Sequence, residues 1–141
     1  MNWMNKNCIF CKIVRKEVPA SIIYEDSEVM AFLDIRPLSE GHTLIIPKEH
    51  YETIFDIPED LLMQVHKAAK HIAVAVKVGV NANGISIIQQ NGRAANQDIF
   101  HLHVHAIPRI EGERLPHFND SVIASREKLD QVATKIRKNL S

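Results

Sequence analysis

Residues 101–109 read HLHVHAIPR, with His101, His103 and His105 at alternate positions and Leu102, Val104 and Ala106 interleaved. Strict alternation is a two-residue period, which belongs to a strand and not to a helix. It predicts a strand over 100–107 whose three imidazoles share one half-exposed polar face, their roots roughly 7 Å apart. Leu102, Val104 and Ala106 then point the other way, into a core. A strand of this kind needs partner strands beside it and an apolar layer beneath it.

The remaining periodicities supply both. SIIYEDSEVMAFL, residues 21–33, reads as two short strands, 21–24 and 28–33, around a turn at Glu25-Asp26-Ser27. GHTLIIP, 41–47, is a third, stopped by proline. From Pro58 the period changes: Leu61, Val65, Ala68, Ala69, Ile72, Ala73 and Val76 recur at three and four residues, one face of a long helix. Pro58 suits its first turn, and Gly79 or the 81–84 stretch ends it. A strand over 85–90 and a polar loop, NGRAANQD, precede the histidines; a last amphipathic helix runs from Ser125 to about Lys138. Five strands joined mostly by short turns predict an α+β fold: a five-stranded antiparallel sheet, one long central helix and a C-terminal helix. Helices on one sheet face leave the other for a site or a partner. At 141 residues the chain is read as one domain over 1–141, with 111–141 as an extension carrying the last helix.

Seventeen basic residues balance seventeen acidic ones, so no electrostatic footprint for nucleic acid or an anionic membrane is present. The start, MNWMNKNCIFCK, lacks the apolar stretch of a secretory signal, and no apolar run reaches membrane-spanning length. A cytoplasmic location is expected. There a structural disulfide between Cys8 and Cys11 is disfavoured, while metal binding or redox chemistry stays open.

Three readings of the histidine strand compete. It could be a solvated face that happens to carry histidine. It could be a three-histidine zinc site, although a third ligand at i+4 on a straight strand reaches the metal poorly. It could catalyse covalent chemistry on phosphorus, because neutral imidazole is a competent nucleophile near neutral pH and neighbouring imidazoles can donate to phosphoryl oxygens.

HLHVHAI also fits His-φ-His-φ-His-φ-φ and resembles the signature of the histidine triad (HIT) family of nucleotide hydrolases and transferases. CIFCKIVRKEVPASIIYEDSEVMAFLDIRPLSEGHTLIIPKEH, residues 8–50, resembles the N-terminal half of the same family, as do IIQQNG and the final IPR; the resemblance spans residues 8–110. It implies the HIT-like fold, a homodimer formed by joining sheets, and hydrolysis at the α-phosphorus of purine nucleotide conjugates. Nucleoside phosphoramidates, diadenosine polyphosphates and other adenylylated small molecules are the substrates it suggests. IVRKEVPA and YED resemble the phosphoramidase branch, whereas HxHxHxxPR resembles the dinucleoside polyphosphate branch. By the same resemblance, His103 attacks phosphorus to form a nucleotidyl-histidine, His105 steadies the α-phosphate and His42 is a further active-site histidine. Asn91 and Gln97 would lie around the phosphate and leaving group, and Asp34 would accept from the ribose hydroxyls. Phe10, Phe32 and Ile35 would line a slot for the purine. Zinc-containing bacterial members imply a closed structural zinc site at Cys8, Cys11, His50 and His101. A nucleotide-binding or partner-regulating module with incidental hydrolysis is the alternative of a different class.

Each residue also has a plainer reading. Asp34 could cap a turn before Pro37, the apolar residues could be ordinary core, Asn91-Gly92 is a turn signal in its own right, and the cysteines could be reduced core residues. The loop before the triad departs from the family pattern: Asn96 replaces a glycine, and Asp98 stands where Ser or Thr is usual. Asn tolerates positive φ. An Asp facing the phosphate would repel it, so pointing away or orienting a neighbour is expected, and leaving-group preference stays open. His66, His71 and His117 receive no role, and Arg109 stays unexplained.

Overall fold

The computed structural model describes residues 5–140; residues 1–4 and 141, the ends of the expected single domain, lie outside the described residues. The chain runs α1 (Ile9–Val14), β1 (Ile22–Glu25), β2 (Val29–Leu33), β3 (Thr43–Pro47), α2 (Glu59–Gly79), β4 (Gly84–Gln89), β5 (Val104–Arg109) and α3 (Arg126–Arg137), with short 3₁₀ turns at Arg93–Ala95 and Phe118–Asp120. All five strands form one antiparallel sheet in the order β1-β2-β3-β5-β4. The α+β fold with one long helix and a C-terminal helix is therefore as expected.

Alternation along β2 divides the molecule into two layers. Val29, Ala31 and Leu33 pack under α2 and α3, together with Leu102, Val104 and Ala106. Met30 and Phe32 point to the other layer, where Phe10 and Ile13 of α1 cover them. The sheet face expected to be open is thus partly closed by a helix that sequence periodicity did not reveal. Six residues are too few to show a 3.6-residue repeat. On α2, Ala75 is buried and Ala73 only half-buried, a small rotation from the expected face. Pro58 serves as the extended N-cap of α2 instead of entering its first turn. Ser125 caps α3 by accepting from the Lys128 amide. Gly79 ends α2 where α3 passes so closely that a Cβ would lie 2.9 Å from the Ile136 Cα.

Two expectations for the histidine strand change. Ladder pairing begins at Val104, not at residue 100: the Leu102 amide donates to Tyr51 O at 2.7 Å, and the Pro47 carbonyl accepts from the His101 ring at 2.8 Å. His101 and His103 therefore sit on an extended lead-in to β5. Nor is their face half-exposed. His101, His103 and His105 are 0%, 3% and 5% exposed, so every ring nitrogen must find a partner inside the protein or a ligand.

Candidate active site and metal centre

Backbone groups set the tautomers of the buried imidazoles, because an amide can only donate and a carbonyl can only accept. The Leu38 amide donates to His42 Nδ1 at 3.0 Å, which puts the His42 proton on Nε2. That proton is donated to His105 Nδ1 at 2.9 Å, leaving His105 with its own proton on Nε2. His103 Nδ1 donates to the His101 carbonyl at 2.8 Å, so its Nε2 carries a free lone pair. His103 and His105 both line one cleft of about 740 Å³, their ring centroids 4.9 Å apart. The cleft thereby presents an imidazole lone pair and a hydrogen-bond donor side by side.

Burial keeps these rings neutral. Desolvation, reinforced by the neighbouring imidazoles, pushes His42 from 6.5 down to about 3 and His105 down to about 4. His103 is lowered chiefly by burial, with its bond to the His101 carbonyl and nearby Asp98 opposing. The 3.6 Å approach of His42 to Asp34 is therefore a contact with a neutral ring, not an ion pair. Desolvation raises the Asp34 carboxyl to about 6.

These shifts predict how stability depends on pH. In the unfolded chain His42 and His105 titrate near 6.5, so below that pH the unfolded state binds more protons and stability falls as pH drops towards their folded values. Asp34 has a raised folded value and works in the opposite direction, gaining stability as pH falls below about 6. His101 and His103 are lowered as well, so the histidines outweigh the one carboxylate and leave a net loss of stability as pH falls between about pH 6 and pH 4. Urea midpoints across that window should fall accordingly; a midpoint unchanged from neutral to acid pH would contradict it.

The remaining residues proposed from sequence divide between the cleft and its supports. Asp34, Phe10, Phe32, Ile35 and Gln97 all line the cleft. Phe10 meets Phe32 edge-on at 5.4 Å and His103 at 5.2 Å, so it also wedges the His103 ring in place. Ile35, 49% exposed, forms the rim. Asp34 Oδ1 accepts from the Arg36 amide at 2.9 Å, the turn-capping role expected as its plainer reading, and its Oδ2 lies 3.6 Å from His42 Nε2, beyond hydrogen-bond distance. Gln97 is fully engaged with backbone: its oxygen accepts from Gly92 N, and its amide donates to the Glu52 and Ile99 carbonyls. Asn91 is not part of the lining. Its oxygen accepts from the Ile54 amide and from Gln89, tying the 51–57 loop to the end of β4, while its neighbour Gln90 faces the cleft. Asn96 adopts φ 69°, the left-handed conformation that its place after the 3₁₀ turn requires.

Sequence reasoning missed Phe118. The 111–124 segment returns across the sheet, anchored by the Ala124 amide on Ile35 O and by Arg36 on Ser121 O. This brings the Phe118 ring to 5.3 Å from His105, and His117 into the cleft lining. No local pattern marks such a return; only the distant anchors reveal it.

Cys8, Cys11, His50 and His101 converge at the start of α1. Cys8 is the N-cap of that helix, so the CxxC motif straddles a helix N-terminus with no strand before it among the described residues. His101 Nδ1 lies 3.4 Å from Cys8 Sγ, 3.6 Å from Cys11 Sγ and 3.2 Å from His50 Nδ1; Cys11 Sγ to His50 Nδ1 is 3.4 Å. Tetrahedral coordination by sulfur and nitrogen at zinc-like bond lengths implies edges of about 3.6 Å for S–N and about 3.3 Å for N–N. The observed spacings match. His101 Nε2 donates to Pro47 O, so its Nδ1 is a lone pair, and two imidazole nitrogens 3.2 Å apart need a cation or a proton between them. Burial pushes the Cys11 thiol up to about 11, which bound metal would reverse by stabilising the thiolate. Asp34, His42 and His105 also cluster, but the 2.9 Å His42–His105 bond and the Leu38 amide occupy both His42 nitrogens. That arrangement is a hydrogen-bond chain.

Comparison with known proteins agrees with this geometry. A HIT domain model matches residues 15–112. The adenylylsulfatase of Arabidopsis thaliana is 37% identical over 133 residues, 94% of this chain and 67% of that protein. The adenosine 5′-monophosphoramidase of Saccharomyces cerevisiae is 42% identical over 102 residues, 72% of this chain and 62% of that protein. A zinc-bound histidine triad family protein from Mycobacterium smegmatis superposes with a TM-score of 0.84 at 34% identity, covering 94% of this chain and 92% of its own. The family model, these relatives and the shared fold together show that this chain belongs to the HIT family.

Proposed function

We propose that the chain is a nucleotide hydrolase acting at the α-phosphorus of purine nucleotide conjugates through a nucleotidyl-histidine intermediate. The observation that carries this reading is the pair of complementary nitrogens in the cleft: a lone pair on His103 Nε2 and a proton on His105 Nε2. Attack by His103 forms the N–P bond as the bond to the leaving group breaks. His105, whose proton is kept on Nε2 by His42, donates to a phosphoryl oxygen as charge builds there, an effect of about 3 kcal/mol where such donors have been removed from enzymes. Water then cleaves the N–P bond and frees the nucleotide. Phe10, Phe32 and Ile35 offer the base an apolar wall, and the unengaged oxygen of Asp34 is available to the ribose.

Cys8, Cys11, His50 and His101 would hold zinc as a closed structural site, which ties α1 to the lead-in of β5 and fixes the His101 carbonyl that orients His103. Reduced cysteines in this role suit the cytoplasm. No described helix is long and apolar enough to cross a membrane. A homodimer is the assembly we propose, because β4 is an edge strand with Ile87 exposed, and α2 beside it exposes Met63, Val74 and Val78.

Incubation with an adenosine 5′-phosphoramidate labelled in the nucleotide, acid quenching and peptide mapping test the mechanism. The label is expected on His103. Steady turnover with label on no histidine would sink the covalent route, and tight AMP binding without turnover would favour the binding module instead.

A further inference from the structure

Asp98 closes the 91–98 loop with its side chain 79% exposed and its Oδ1 3.9 Å from His103 Nε2. That oxygen also accepts from the Ile99 amide at 2.9 Å, which orients the carboxylate at the mouth of the cleft it lines. Among the described residues, no lysine or arginine is within ion-pair distance of it. Arg36 and Arg93 line the same cleft, but Arg36 is turned to the Ser121 carbonyl at 3.3 Å. The second carboxyl of the lining, Asp34, faces His42. A negative charge beside the nucleophile of an anionic substrate is a cost to the reaction unless it discriminates among substrates.

We propose that Asp98 is a specificity-determining residue that selects leaving groups by charge, rejecting anionic ones such as sulfate or a phosphate chain and favouring those that depart as amines. This rests on the reading of His103 as the nucleophile. Its repulsion of the α-phosphate is common to every conjugate and cancels in a comparison of substrates. The leaving atom lies in line with the attacking nitrogen, about 5 Å from it before reaction. Asp98 is consequently within about 9 Å of that atom in any orientation, inside the range over which a like charge is felt at moderate salt. One extra negative charge at that range is worth about fivefold in rate at low salt, the carboxylate being largely solvated. For an amine conjugate, Nε2–P forms as P–N breaks, the P–N electron pair departs with the amine, and the amine takes one proton from water. Water then displaces His103 from phosphorus and releases a proton to solvent.

Asp98→Asn keeps the oxygen that receives the Ile99 amide and removes the charge, so kcat/KM of the full chain can be compared on adenosine 5′-phosphoramidate and adenylylsulfate. The amine-to-sulfate preference should fall about fivefold in the variant, because the sulfate conjugate gains more than the amine conjugate when the charge is removed. Added salt should shrink the wild-type preference and leave that of the variant unchanged. A changed ratio separates selection from general damage, which lowers both substrates together; a preference unchanged within about twofold would overturn the proposal. Calorimetric binding of AMP and ADP supplies an arm independent of turnover. Wild type should favour AMP, and Asp98→Asn should lose about fivefold of that preference. If neither conjugate is turned over, the nucleophile reading fails, and the AMP-to-ADP preference still decides on Asp98, equal values in both proteins overturning its role.

Discussion

His103→Ala should lower kcat by about 10⁴-fold or more, the scale on which removing a covalent nucleophile acts, while AMP binding stays within a few-fold of wild type. The reason lies in how the five buried imidazoles are hydrogen-bonded. His103 alone presents a free lone pair on Nε2 in the cleft; His42 and His105 each have one nitrogen in their shared bond. Burial keeps His103 below the usual histidine range, so the lone pair is available at neutral pH. Alanine removes that nitrogen and leaves the purine wall, Asp34 and the His105 donor in place. It also orphans the buried His101 carbonyl, at a cost of about 1–2 kcal/mol in stability that a domain with this core should survive. Single-turnover kinetics with a labelled adenosine phosphoramidate, alongside AMP calorimetry, check the result. Retention of more than about a tenth of wild-type turnover would reject His103 as the nucleophile.

Cys11→Ser is expected to abolish zinc retention and to lower unfolding stability by about 3–5 kcal/mol. That is less than the zinc affinity of a peptide that folds only with metal, because here the sheet and the two larger helices keep their own core. What depends on the metal is the second layer: α1 is short, its N-cap is a cysteine, and it covers Met30 and Phe32 largely through Phe10 and Ile13. Serine binds zinc poorly and cannot relieve the 3.2 Å confrontation of His50 and His101. Turnover should fall with the metal, because the His101 carbonyl that orients His103 belongs to the same residue as the ligand. Metal analysis, thermal unfolding with and without a strong chelator, and activity measured on the same samples provide the check. Wild-type protein that carries no metal and keeps its melting temperature in chelator would remove the site from consideration.

Much of the architecture was legible without coordinates. The strands near 21–24, 28–33, 41–47 and 85–90 and both larger helices lie within a residue or two of their expected positions, because each carries an unbroken hydrophobic period and a proline, glycine or serine at its end. The misses share a cause. α1 is too short to show a period, β5 starts late because the Leu102 amide goes to Tyr51, and Phe118 arrives in the cleft through bonds to Ile35 and Ser121. Asn91 and Gln90 are adjacent and both polar; only the turn geometry that gives Asn91 to Ile54 leaves Gln90 on the cleft.

The alternation in HLHVHAIPR determined that the three histidines share a face and that Leu102, Val104 and Ala106 enter the core, because side-chain direction along an extended chain is a local property. It could not determine which histidine does what. The Pro47 carbonyl frees His101 Nδ1 to face two cysteines, the His101 carbonyl frees His103 Nε2, and the Leu38 amide acts through His42 to leave His105 a donor. Three of these partners lie far from the histidines in sequence, and a tautomer is decided by whichever group the fold brings to the other side of the ring. The tertiary structure alone therefore gave three like residues different free atoms: a lone pair facing two cysteines, a lone pair in the cleft and a donor proton.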